Sequence, residues 1–158
     1  MRGLARIGIV LGMLAAMLTA TFNVASAAPT TFYVAAVHSG GAGATATSAT
    51  GNIAWSSSFK TVTLTNVRMF VKGGECAYLS IAGRQGSTIV TEVRHFPDGP
   101  NFYCPSSDRT YSLGTVTLTS VPAGGVDHVN FDIYDVDHSG HGWAVCKRVD
   151  SSCYGDQD

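Results

Sequence analysis

The chain has 158 residues, of which 45% are apolar and only 13% charged, with ten Lys and Arg against eleven Asp and Glu. A formal net charge of −1, with scattered cations and no basic patch, speaks against nucleic acid or an anionic membrane surface as a partner. The length suits one domain.

Residues 1–27 read as a secretory signal peptide. Arg2 and Arg6 supply the positive start, 7–18 is an unbroken run of apolar residues and Gly, and Ala25-Ser26-Ala27 is a small-x-small cleavage site. The run is shorter than the roughly 20 residues of a bilayer span, and no basic stop-transfer cluster follows it. The expected product is therefore a secreted, extracellular chain of 131 residues, 28–158. Loss of Arg2 and Arg6 leaves eight cations against eleven acids, a net charge of −3.

All four cysteines, Cys76, Cys104, Cys146 and Cys153, lie in the exported part. An even count in an oxidising compartment predicts two disulfides. Three pairings are open, and the sequence neighbours Cys76–Cys104 and Cys146–Cys153 are favoured. A four-cysteine zinc site is disfavoured because the chain has no Cys-x-x-Cys pair.

The first element after the signal is Thr31–Val37 (TFYVAAV), apolar on both faces of a strand: Phe32, Val34 and Ala36 on one, Tyr33, Ala35 and Val37 on the other. The stretch that follows, 38–52 (HSGGAGATATSATGN), has no large side chain after His38 and no formal charge. Two arrangements fit. Thr31–Val37 is either the first strand of its own domain, followed by a long loop, or a tethered strand that completes a partner's sheet or fills its groove; failing both, it is disordered without function. Burying Phe32, Tyr33, Val34 and Val37 yields about 6–12 kcal/mol, and ordering seven residues costs about 7–14 kcal/mol. A partner would therefore also have to supply backbone hydrogen bonds, as in strand addition. Structureless connections beyond roughly 12–15 residues are uncommon and often functional, which favours the tether.

From Lys60 onward the pattern is β. In 60–71 Val67, Met69 and Val71 share a face; in the next run Ala77, Leu79 and Ile81 do so, opposite Tyr78 and Ser80; 87–96 alternates again. Residues 111–121, 126–136 and 143–147 complete the set, punctuated by Gly73-Gly74, Pro97-Asp98-Gly99-Pro100 and Pro122-Ala123-Gly124-Gly125. This spacing predicts an all-β fold, an antiparallel β-sandwich of about seven to eight strands with two disulfides. The expected organisation is a signal (1–27), an apolar strand with its tether (28–52) and a β-sandwich body (53–158).

Motifs that would carry chemistry are few. Gly41 to Ala46 matches G-x-G-x-x-A, but no helical pattern follows and no acid lies about 20 residues on. Asp135, Asp137 and Ser139 with Gly140 resemble the opening of a calcium loop, but position twelve, where a bidentate Glu should stand, is Cys146. The turn reading, in which Asp137 and Ser139 bond nearby backbone, is preferred, so no metal and no cofactor are expected. His128, His138 and His141 read as polar turn and strand residues. Asp132 and Tyr134 share a face without a second feature that would specify glycoside hydrolysis, and no nucleophile motif is present. Lys147 and Arg148, in the CKRVDSSC loop, are candidate bait for a trypsin-like protease. Tyr103, Tyr111, Tyr134 and Trp143 are candidates for a carbohydrate-binding module.

An exported chain with a short apolar strand (TFYVAAV), an Ala/Gly/Ser/Thr linker (HSGGAGATATSATGN) and a four-cysteine β body resembles the small adaptor subunit of the umbrella toxin particles of filamentous soil bacteria. The resemblance implies a non-catalytic role: an N-terminal segment inserted into a cleft of a large toxin-bearing subunit, and a body that holds a lectin-bearing subunit. On this chain the inserted, partner-binding residues would be Phe32, Tyr33, Val34, Ala35, Ala36 and Val37. The expected function is that of a secreted adaptor in an extracellular antibacterial toxin assembly. The alternatives are a serine protease inhibitor acting through Lys147 and Arg148, and a carbohydrate-binding module.

Overall fold

A computed structural model describes residues 27–38, 44–137 and 139–157; apart from Ala27, the expected signal peptide lies outside the described residues. Ten strands follow in order: β1 (Thr31–Val37), β2 (Thr45–Trp55), β3 (Thr61–Val71), β4 (Ala77–Gln85), β5 (Thr88–Ile89), β6 (Arg94–Phe96), β7 (Arg109–Thr119), β8 (His128–Asp135), β9 (Gly140–Lys147) and β10 (Tyr154–Gln157). Seven of them have seven or more residues, in line with the expected number. They form two antiparallel sheets, β1-β2-β3-β7 and β10-β9-β8-β4-β5, with β6 also paired to β4. The two sheets make the sandwich that the alternation predicted.

Alternating residues of each strand fill the space between the sheets. One sheet contributes Phe32, Val34, Ala49, Ile53, Val62, Leu64, Val67, Met69, Val116 and Leu118; the other contributes Leu79, Ile81, Val129, Phe131 and Ile133. The rings of Phe32 and Phe131 stack across the interior with centroids 4.1 Å apart. Two bulges keep the inner phase correct along the longest pair of strands. Around Asn66 (φ 53°) the inner set of β3 changes from Val62 and Leu64 to Val67, Met69 and Val71, and at Gly114 (φ 74°) β7 makes the matching change.

The main correction concerns 38–52. Residues 39–43 lie outside the described residues, but 45–52 is not a tether: Thr45–Trp55 is a full strand, paired with β1 on one side and β3 on the other. Its small residues are there for fit. Gly51 lies opposite Phe32, and a Cβ at Gly51 would stand 2.7 Å from the Phe32 ring. Ala49 is buried beside Val34 and Met69. Thr47, also buried, donates its hydroxyl to the Phe70 carbonyl at 2.7 Å. The boundary expected at residue 53 falls inside β2, which pairs with both β1 and β3, and so does not separate two bodies.

The expected strand over 87–96 is interrupted. Gly83 of β4 donates its N–H to the Thr91 hydroxyl at 2.9 Å, which takes the place of a ladder bond. Within 87–96, Thr88–Ile89 and Arg94–Phe96 are the parts that form strands paired with β4. Both disulfides join the favoured pairs, Cys76–Cys104 and Cys146–Cys153.

Candidate functional site

The residues of β1 expected to bind a partner divide into buried and exposed once the strand is placed. Phe32, Val34, Ala35 and Ala36 are buried in their own core, so they are not available for insertion into a partner; Tyr33 is 48% exposed. This corrects the expectation for the four buried residues, and the reason is the facing sheet: Phe32 stacks on Phe131 of β8, and β9 lies against Ala35.

β1 is nonetheless an edge strand, as is β10 in the other sheet, and the two edges lie on the same side of the sandwich. Where β1 meets β9, the Ala35 and Val37 carbonyls press against Gly142 and Gly140, and a Cβ at Gly142 would fall 1.6 Å from the Ala35 oxygen. Thr30 instead turns its carbonyl toward β2, accepting from Ile53 N–H at 2.9 Å. The two-residue period of a strand then sends the peptide groups of Thr31 and Tyr33 outward, like those of Ala35 and Val37.

At that end of β1 the sheets part around a groove of about 420 Å³, lined by 29–34 on one wall and by Trp143 and 151–156 on the other. The Cys146–Cys153 disulfide fixes the second wall, and Cys153 Sγ lies 3.3 Å from the Thr31 carbonyl oxygen. Trp143 meets Tyr154 edge-on, with centroids 6.0 Å apart. Three aromatic side chains, Tyr33, Trp143 and Tyr154, therefore surround an outward-facing strand edge. Trp143 was singled out in the sequence for its ring, and Tyr33 for its segment. The contribution of Tyr154 was not foreseen, because β10 is only four residues long and gives no periodic signal.

The other candidates are dispersed. Lys147 lies within β9, paired with His128, and bonds to Tyr154, which raises its ammonium pKa above the ordinary value. Arg148 folds back: Nη1 donates to the carbonyls of Gly124 (3.3 Å) and Val126 (3.4 Å), and the guanidinium sits 4.5 Å from the centre of the Phe59 ring. A bait residue must project from an extended loop into the protease, and neither side chain does so.

Of the calcium-loop residues, Asp135 is buried while Asp137 and Ser139 are exposed, so the three donors do not converge. Asp135 turns instead toward His38, 3.5 Å from its Nδ1. His138 lies outside the described residues. His128 contacts its neighbour Asp127, and His141 Nε2 lies 3.4 Å from Asp132. The rows of these two histidines are six residues apart along β8, about 20 Å.

The outer face of the second sheet carries an aromatic row, Tyr78–Tyr134–His141, with successive centroids 4.7 and 4.4 Å apart. That spacing is close to the distance between neighbouring strands, so these rings cover one another and turn their edges outward. Tyr103 and Tyr111 are likewise stacked, at 4.0 Å. Such rings offer little free face to a sugar. Partial burial, and then the charge of Asp132, push the Tyr78 and Tyr134 hydroxyls above the usual phenol range.

Comparison of the chain with protein-family models, with curated proteins and with solved structures returns no match.

Proposed function

We propose that this protein is a secreted, non-catalytic adaptor that holds an extended segment of another protein in the groove between β1 and β10. The observation that carries the reading is the pair of edge strands set side by side, with the Tyr33 peptide facing the space between them. An edge of this kind is a template for main-chain pairing, and Tyr33, Trp143 and Tyr154 supply the flat, amphipathic surface that interfaces favour. The direction of insertion is the reverse of the one expected from sequence: the chain receives a strand rather than donating one. Two disulfides are compatible with an extracellular site of action. In the setting that the umbrella-toxin resemblance implies, the received segment belongs to the toxin-bearing or the lectin-bearing subunit.

The test is a main-chain edit. Tyr33→Pro removes an N–H that faces the groove and takes no part in the β2 ladder, a substitution that an edge strand tolerates. Affinity capture from the producer's culture fluid, with mass spectrometry, is expected to recover a partner with the wild type. Tyr33→Pro and the Trp143→Ala, Tyr154→Ala double variant are expected to recover at least about tenfold less of it. A partner retained equally by all three proteins would sink the reading.

A further inference from the structure

At the end of the sandwich reached by the closed half of β1, three connections bring chemically unlike side chains together. His38 directly follows β1, Glu75 lies between β3 and β4, and Asp135 ends β8. Their meeting is fixed by the backbone. Gly140 is the register partner of Asp135, and it lacks the Cβ that would stand 2.5 Å from the Val37 carbonyl, so β1 runs in beside the end of β8. Glu75 donates its N–H to the Lys72 carbonyl at 3.1 Å. Its neighbour Cys76 accepts from Val136 N–H at 2.8 Å and is bound to Cys104.

His38 Nδ1 lies 3.5 Å from Glu75 Oε1 and 3.5 Å from Asp135 Oδ2, and the three donor atoms all fall within 4.8 Å of one another. The Asp135 side chain is 0% exposed and that of Glu75 9%, while His38 is 26% exposed. Two facts of chemistry bear on this geometry. Charge-assisted N–H···O bonds close to about 2.7–2.9 Å, and 3.5 Å is well beyond that. It is instead the edge of a tetrahedron with metal–ligand bonds of about 2.1 Å, which is about 3.4 Å. In addition, two carboxylates held this close in a nearly dry pocket repel unless a cation or a proton lies between them.

We propose that His38, Glu75 and Asp135 form a site for a divalent transition-metal ion of the zinc class. One imidazole nitrogen with two carboxylate oxygens suits such an ion better than calcium, which takes six to eight oxygens. Two carboxylates balance the charge of the dication. The ion ties the end of β1 to loops of both sheets. This site is independent of the groove.

The experiment uses the disulfide-intact mature chain, freed of any histidine tag and stripped with EDTA, and titrates it with Zn²⁺ in a calorimeter. The expected result is one ion per chain, with the melting temperature rising by about 3 °C or more under excess Zn²⁺. Glu75→Gln and His38→Gln, checked for folding by circular dichroism in EDTA, are each expected to weaken binding by about tenfold or more. Absence of stoichiometric binding to the wild type, or wild-type affinity in either folded variant, overturns the site. Should a variant not fold, zinc-edge X-ray absorption on the wild type decides: a first shell containing imidazole nitrogen and carboxylate oxygen supports the site, and one without imidazole overturns it.

Discussion

The two halves of β1 belong to one strand and meet different surroundings. Ala35 to Val37 run against Gly140 and Gly142, so closely that the neighbouring backbones leave no room for a Cβ at either glycine. From Pro29 to Val34 the same strand edge faces Trp143 and the disulfide-closed turn 146–153, and between them a groove remains. The difference lies in what stands opposite. Glycine lets two backbones touch and closes the sandwich; beyond Gly142 the wall is formed by Trp143 and the disulfide-closed turn, and main-chain groups of β1 are left turned toward a space. One apolar strand thus serves as both core and candidate interface, and hydropathy does not separate the two roles.

The comparison breaks most severely if β1 and β2 are removed. Deleting 28–52 takes away Phe32, Val34 and Ala49 from the core and uncovers β3. The truncated chain is expected to lose cooperative unfolding in urea, whereas a body joined to a dispensable tether would keep it. Phe32→Ala alone, which removes the ring stacked on Phe131, is expected to cost about 3–5 kcal/mol by chemical denaturation. A cost below about 1 kcal/mol would mean that β1 is not part of the core.

A smaller effect is expected at the closed half. Gly142→Ala places a methyl group against the Ala35 carbonyl and is expected to destabilise the protein by about 1–3 kcal/mol, with faster hydrogen exchange in β1 than in β3. Stability equal to wild type would show that the two strands are not pressed together. The smallest effect belongs to the open half. Tyr33→Ser, at a half-exposed side chain, is expected to change stability by about 0.5 kcal/mol or less, so that any loss of partner binding reads as a lost contact and not as unfolding.

Much of the sandwich was legible because β alternation is local. Val67, Met69 and Val71 are buried together, as are Ala77, Leu79 and Ile81, and the outer positions of Asp132 and Tyr134 follow from the same period. β2 was not legible, since its Ala and Gly residues carry little hydropathy and gain meaning only from the Phe32 ring that one of them accommodates. β10 was too short to register. In the groove, Tyr33 and Trp143 were noticed for reasons of residue type, but nothing in their separation along the chain sets them on facing walls.

By itself, the sequence determined the all-β class and the inner faces of the long strands, because each depends on the alternation of residues within one strand. Only the tertiary structure decided where β1 lodges, which edges remain open and that His38, Glu75 and Asp135 meet. Those outcomes depend on the fit of backbone against backbone at Gly51, Gly140 and Gly142, where the missing side chain is what matters, and on contacts between residues 37 to 97 positions apart.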